Sequence, residues 1–338
     1  MIIDPYNDKI YTLVNYLYKI KIASEEYHHL GGKKLERNKL YNQFLSFMQE
    51  EDVLVDEPMK NHTSFNIGGP ADILILPRSI EEIKRAIEIC WEWGRPYYIM
   101  GNGTNLLVKD GGLACVVIKI ANNLSDIRIE GTTITAEAGV LLSTLAKSMA
   151  KNNLRGFEFA SGIPGTLGGG ITMNAGAYGG EMMNVVKSCR VLDKDNRILE
   201  LTNKELEFAY RKSIIQRKDY IVLEASLELE KGNYDEIIET IREFTKRRTS
   251  KQPLHLPSAG STFRRPPGYY AGKLIEDAGL RGKTIGGAQV SQLHSGFIVN
   301  IDNAQAKDVI SLIAYIQKAV KEKFGVSLEP EVRIIGEE

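Results

Sequence analysis

Residues 160–180 read ASGIPGTLGGGITMNAGAYGG, with eight glycines in 21 positions of a chain that has 31 in 338. Glycine at that density costs backbone entropy on ordering, so an ordered tract needs a compensating contact. A flexible linker would be polar and Ser-rich, whereas this tract carries Ile163, Leu167, Ile171, Met173 and Tyr178. It reads as an ordered loop pressed against something. Amides free of side chains can approach phosphate oxygens, and two such loops can cradle a diphosphate. The second loop is GNGTNLL at 101–107, which follows the strand-like YYIM and adds the side chains of Thr104 and Asn105. Neither loop opens a helix as GxGxxG, and no GxxxxGK[ST] occurs, which disfavours a Rossmann site or a P-loop hydrolase. Two glycine-rich loops about sixty residues apart and separated by strands suggest a dinucleotide held between two α+β lobes.

Outward from these loops the chain alternates short strands with amphipathic helices. ADILILP (71–77) is an apolar strand, SIEEIKRAIEICWEW (79–93) has helical spacing with Ser79 as N-cap, and RPYYIM returns to strand. CVVIKI, IRI and TITAEAG are short and β-branched, and a helix is expected over 141–153. CRVLD, RILELT and IVLEASLEL follow as strands, the last with the alternation of a half-buried sheet. Helices are expected near 234–248, 270–277 and 304–324, with GFIVNI and LEPEVRIIG as further strands. KQPLHLPSAGSTFRRPPG is a loop and a domain boundary. The first fifty residues are nearly free of glycine, and Tyr11, Val14, Leu17 and Tyr18, then Leu40, Phe44, Leu45 and Phe47, stand at helical spacing. Such stripes usually pack on the parent domain. The fold class is α+β in several lobes.

Charge and cysteine usage narrow the function. Lys plus Arg and Asp plus Glu both number 43, so no strongly basic surface is available overall for nucleic acid or an anionic membrane. Cys90, Cys115 and Cys189 form no CxxC pair, and the five histidines no HExxH, so neither a disulfide framework nor a metal site is expected. No apolar run approaches a membrane span, and Asp4 and Asp8 stand where a signal peptide would be basic. The expected location is the cytoplasm, with a small-molecule substrate and no obligate protein partner.

Six segments in order, TSFNIGGPADILILP (63–77), GNGTNLLVKDGG (101–112), ASGIPGTLGGGITMNAGAYGGEM (160–182), YRKS (210–213), SAGSTFRRP (258–266) and LEPEVRIIG (328–336), resemble the UDP-N-acetylenolpyruvoylglucosamine reductase family. The likeness runs from about residue 56 to the C-terminus. Thr104 stands where relatives often carry Ser, which keeps the hydroxyl. The resemblance implies a two-lobed FAD-binding domain of the vanillyl-alcohol-oxidase (PCMH) type and a C-terminal α+β substrate domain. The implied division is a helical appendage at 1–55, FAD lobe 1 at 56–120 joined by 327–338, lobe 2 at 121–231 and the substrate domain at 232–326. Because 210–221 is short, the chain resembles the compact form of the family, which lacks an inserted substrate-capping loop.

The implied chemistry is reduction of the enolpyruvyl ether of UDP-N-acetylglucosamine to UDP-N-acetylmuramate for peptidoglycan, with NADPH as co-substrate and non-covalent FAD. The implied FAD contacts are Gly101, Asn102, Gly103, Thr104, Asn105 and Leu106 on one loop. On the other they are Ser161, Gly162, Ile163, Pro164, Gly165, Gly168, Asn174 and Gly176. An enol ether accepts hydride poorly, so the site needs a cation and an acidic group at the substrate carboxylate, and a proton donor. Arg211 in YRKS matches the catalytic arginine, whose guanidinium can grip a carboxylate through two bonds. Glu329 in LEPEVR matches the catalytic glutamate, although Glu331 is an even rival on the residues alone, since two positions apart in a regular strand share a face and Pro330 disturbs regularity. Ser261 in SAGSTF matches the proton donor, which is reasonable only toward a strongly basic carbanion-like acceptor. Lys251 matches a substrate contact, and Tyr178, Arg265 and His294 are further candidates. An oxidase with covalent flavin is disfavoured by the absence of His and Cys from 101–112 and 160–182. An inert nucleotide-binding protein is disfavoured by the joint presence of Arg211, Ser261 and Glu329.

Overall fold

The computed structural model describes residues 30–338. Helix α1 (Leu30–Leu45) is followed by strand β1 (Val53–Pro58), and the stripe from Tyr11 to Tyr18 lies outside the described residues. Leu40, Phe44 and Met48 are buried in the main core with Val53, Ile83 and Ile87. The stripe of Leu40, Phe44, Leu45 and Phe47 thus packs on the first lobe, as such stripes usually do, and β1, which begins at Val53, is a strand of that lobe's sheet.

That sheet also holds β2 (Pro70–Ile75), β3 (Tyr97–Met100) and β5 (Leu113–Lys119), in the order β1-β2-β5-β3. β1 runs antiparallel to β2, and β5 pairs in parallel with β2 and β3. Helix α2 (Ile80–Glu92) connects β2 to β3, and the Ser79 hydroxyl accepts the Glu82 N–H at 3.1 Å, the cap its sequence requires. Ile83, Ala86, Ile87 and Cys90 bury one face of α2. Strand alternation sends Ile73, Ile75, Val116 and Ile118 to the main core, while Leu74 and Val117 join Met59, Met100 and Val108 in a smaller cluster. The loop after β3 thus leaves the carboxyl end of parallel strands, where open α/β sheets place ligands.

The second lobe is antiparallel, built from β6 (Ile127–Glu130), β7 (Thr133–Glu137), β8 (Val186–Leu192), β9 (Ile198–Thr202) and β10 (Ile221–Glu228), in the order β9-β8-β10-β7-β6. Counted separately from β4 (Leu106–Val108), it carries helices α3 (Leu142–Lys151), α4 (Leu167–Thr172) and α5 (Ile214–Lys218). Leu223, Ala225 and Leu227 of β10 are buried and alternate with more exposed Glu224, Ser226 and Glu228, as the sequence predicts.

Helix α6 (Tyr234–Lys251) packs on α3 and the turn at 158–160 and buries only Ile237. This helix, which falls within the expected substrate domain at 232–326, leans on the second lobe. The C-terminal core begins at Ala259 and gathers α7 (Ala271–Asp277), β11 (Thr284–Ile285), β12 (Ala288–Val290), β13 (Ile298–Asn300) and α8 (Ala306–Phe324). Phe65, Ile67 and Leu107 of the first lobe enter the same core. The final strand, β14 (Arg333–Ile335), lies parallel to β4. Among the described residues no helix is long and apolar enough to cross a membrane.

Candidate active site

Between the lobes and the C-terminal domain lies a cavity of about 2200 Å³. Ligand pockets usually measure roughly 300–1,000 Å³, so this one has room for a dinucleotide and a second ligand together. Gly101 to Leu106, Ile163 to Gly165, Gly168 and Gly176 line it. The two glycine loops interlock: a Cβ on Gly101 would stand 2.4 Å from the Thr166 hydroxyl, and the Thr104 hydroxyl donates to Pro164 O at 3.3 Å. At Gly103, φ is +62° and a Cβ would fall 2.2 Å from His62 O, so only glycine fits that turn.

Three positions expected to touch the cofactor do not line the cavity. Asn174 is fully buried and ties a turn together, donating to Glu181 Oε2 at 2.7 Å and Ala209 O at 3.2 Å and accepting Met183 N–H at 2.9 Å. Gly162 faces Arg248, whose Cδ lies 3.1 Å from where a Cβ would be. The Ser161 hydroxyl is buried and has no hydrogen-bond partner among the described residues. Gly169, Gly170 and Thr166, not singled out from sequence, line the cavity instead.

Arg211, Ser261 and Glu331 share the cavity wall. Arg211 has φ +56° in the turn before α5, and its Nε donates to Glu331 Oε1 at 2.9 Å. Gln216 braces this turn, donating to Arg211 O at 3.3 Å and Thr172 O at 2.6 Å. Segment 328–331 runs beside 261–264: Arg264 N–H donates to Glu329 O at 2.9 Å and Glu331 N–H to Thr262 O at 2.8 Å. Asn105 of the first glycine loop donates to Glu331 O at 3.2 Å. Glu329 is outside the cavity wall, its side chain 70% exposed and 3.6 Å from Arg264, whereas that of Glu331 is 15% exposed. Of the two rival carboxylates the structure brings Glu331, and not Glu329, to the cavity with Arg211 and Ser261. The segment touches its neighbour at a single bridge, Pro330 with Phe263, and becomes a strand only at Arg333, so the two carboxylates diverge.

The expected substrate contacts divide in the same way. Arg265 and His294 line the cavity. Arg265 lies 4.0 Å over the Tyr270 ring, which is 64% exposed at the cavity edge. His294 Nδ1 accepts Gly296 N–H at 3.0 Å, and burial pulls its pKa below the ordinary histidine value. Lys251 and Tyr178 do not line it: Lys251 is exposed at the end of α6, and Tyr178 stacks on Phe244 at 4.4 Å with its hydroxyl donating to Phe244 O. Arg248, one turn before Lys251, lines the cavity and forms no ion pair among the described residues. Burial holds its guanidinium below the ordinary arginine value. The sequence signal for it was only its place in RRTSK, one helical turn from Lys251.

Residues 252–335 match the family profile of the UDP-N-acetylenolpyruvoylglucosamine reductase C-terminal domain, and 71–202 that of an FAD binding domain. A UDP-N-acetylenolpyruvoylglucosamine reductase of Alkaliphilus metalliredigens (strain QYMF) is 60% identical over 303 residues, covering 90% of this chain and 100% of that one. This chain belongs to the UDP-N-acetylenolpyruvoylglucosamine reductase family. Another relative under the same name, from Clostridioides difficile (strain 630), is 55% identical over 299 residues, 88% of this chain and 98% of its own. The crystal structure of UDP-N-acetylenolpyruvylglucosamine reductase from Thermus caldophilus superposes with a TM-score of 0.72 at 35% identity, covering 83% of this chain and 97% of that one. The fold and the family assignment agree with the two-lobed flavin domain and separate C-terminal domain. Among the described residues no group of three potential ligands could hold a metal ion.

Proposed function

We propose that this chain reduces the enolpyruvyl ether of UDP-N-acetylglucosamine to the lactyl ether of UDP-N-acetylmuramate, with NADPH as reductant and FAD bound non-covalently. The observation that carries the reading is the convergence of Arg211, Glu331 and Ser261 on one cavity that the pair of glycine loops also lines, with Asn105 of the first loop bonded to Glu331 O. When bound, FAD supplies hydride transfer between NADPH and the substrate alkene. The glycine loops fit its diphosphate because Gly101, Gly103 and Gly165 set no side chain between backbone and cavity, and Arg248 adds a half-buried cation on the same cavity.

Arg211 grips the substrate carboxylate with a guanidinium that remains charged, and it draws negative charge into that carboxylate as hydride arrives. Glu331, already held by Arg211, stands beside the incoming carboxylate and, when protonated, donates a hydrogen bond to its dianionic form. Ser261 then gives its hydroxyl proton to the adjacent carbon. Arg265 and Tyr270, stacked at the edge of the cavity, present a flat face for the uracil, a task that the compact family form cannot leave to an inserted loop.

The test begins with the purified full chain, which should release yellow, non-covalent flavin on denaturation. Anaerobic NADPH should bleach the bound flavin, and UDP-N-acetylenolpyruvoylglucosamine should restore its colour. A flavin that NADPH bleaches and this substrate leaves reduced would refute the reading.

A further inference from the structure

Behind the glycine loops is a second, smaller cavity of about 450 Å³. Asn102, Thr104, Pro164 and Gly165 line both cavities, so the loops form a thin wall between them. His62, Ser64, Ser143 and Lys119 line the far side. Lys119 ends β5 directly beside Met100, the last residue before the first loop. Its Nζ donates to His62 Nδ1 at 3.0 Å, so His62 Nε2 carries the ring proton and donates to Glu57 Oε1 at 2.9 Å. The chain Glu57–His62–Lys119 is built onto the loop itself, because His62 O is the atom against which Gly103 packs.

In this arrangement the Glu57 carboxylate reaches Lys119 through the His62 ring and not by direct contact. Lys119 has no carboxylate within ion-pair distance among the described residues, and burial pulls its ammonium below the ordinary lysine range. Neither 101–106 nor 161–176 contains a charged residue, so the loops meet a diphosphate with neutral amides and hydroxyls only. The half-buried Lys119 ammonium, one strand away, would add a second cation to Arg248, and an anion would relieve the cost of its partial burial.

We propose that Lys119, held in place by His62 and Glu57, balances the FAD diphosphate from the far side of the glycine loops. The inference rests on reading those loops as the cofactor cradle. Glu57 and His62 are positioning residues, since they act on the diphosphate only through Lys119.

Fluorescence titration of the flavin-stripped full chain with FAD tests this at low and high salt. Lys119→Gln keeps a donor for His62 and removes the charge. It should weaken FAD binding about tenfold at about 0.05 M salt, the size expected for a lost charge-assisted bond. The gap to wild type should narrow at about 0.5 M salt, where screening is stronger, and Lys119→Arg should stay within about threefold of wild type. A Kd for Lys119→Gln within twofold of wild type, or a gap that salt does not change, would overturn the proposal, the second outcome marking a merely structural lysine. Should Lys119→Gln fail to fold by circular dichroism, Lys119→Met takes its place in the same comparison. Failure of the wild-type chain to bind FAD would instead remove the cradle reading itself.

Discussion

Arg211 and Glu331 meet at 2.9 Å although 120 residues separate them in the chain. One comes from a turn of the second lobe and the other from the returning C-terminal segment, which is tied to both Thr262 and the first glycine loop. The pair exists only because three parts of the fold converge, and it holds at the cavity one of two carboxylates that are nearly adjacent in sequence.

Glu331→Gln should slow reoxidation of the reduced flavin by the enolpyruvyl substrate about 10²-fold or more, as expected for losing a preorganised group at developing charge. Glu329→Gln, at an exposed carboxylate, should leave the rate within about twofold. Stopped-flow absorbance of the flavin reads both. The reverse ranking would reinstate Glu329.

Ser261→Ala removes a proton donor used only after hydride has left the flavin. Bleaching by NADPH should remain near wild type, and reoxidation by substrate should fall by about 10² to 10⁴, the usual cost of a lost general acid. Stalled bleaching with rapid reoxidation of prereduced enzyme would exclude the proton-donor role.

Gly169 lines the cavity, is exposed, and would offer a Cβ nothing closer than the Thr166 hydroxyl at 3.6 Å. Gly169→Val should therefore fold and obstruct the cradle, raising the Kd for FAD about tenfold or more. Gly103→Val is a poorer probe, since its side chain would strike the backbone at His62 and disturb the turn. A Gly169→Val protein with normal flavin occupancy would argue against a diphosphate at this loop.

Phe44 is fully buried in the main core, so Phe44→Ala should cost about 3–5 kcal/mol of unfolding free energy. Removing residues 1–50 should be at least as destabilising, because Leu40 and Met48 leave with it. Urea unfolding followed by circular dichroism measures both. A truncated chain as stable as the whole would show that the α1 contacts contribute nothing.

By itself the sequence determined the two glycine loops, the α+β alternation around them, the Ser79 cap and the presence of Arg211 and Ser261 in segments that resemble a reductase family. These features are local: a turn's glycine, a helix's spacing and a short motif announce themselves within a few residues. Tertiary structure alone put Glu331 rather than Glu329 on the cavity wall, because the usual period of a strand does not apply to a segment with one bridge and a proline. It also placed Arg248 rather than Lys251 on the cavity wall and turned Tyr178 and Asn174 into braces. Periodicity tells which face of an element is apolar. What that face meets, and which side chains reach a shared cavity, depends on how distant elements pack, and the chain order does not encode that distance locally.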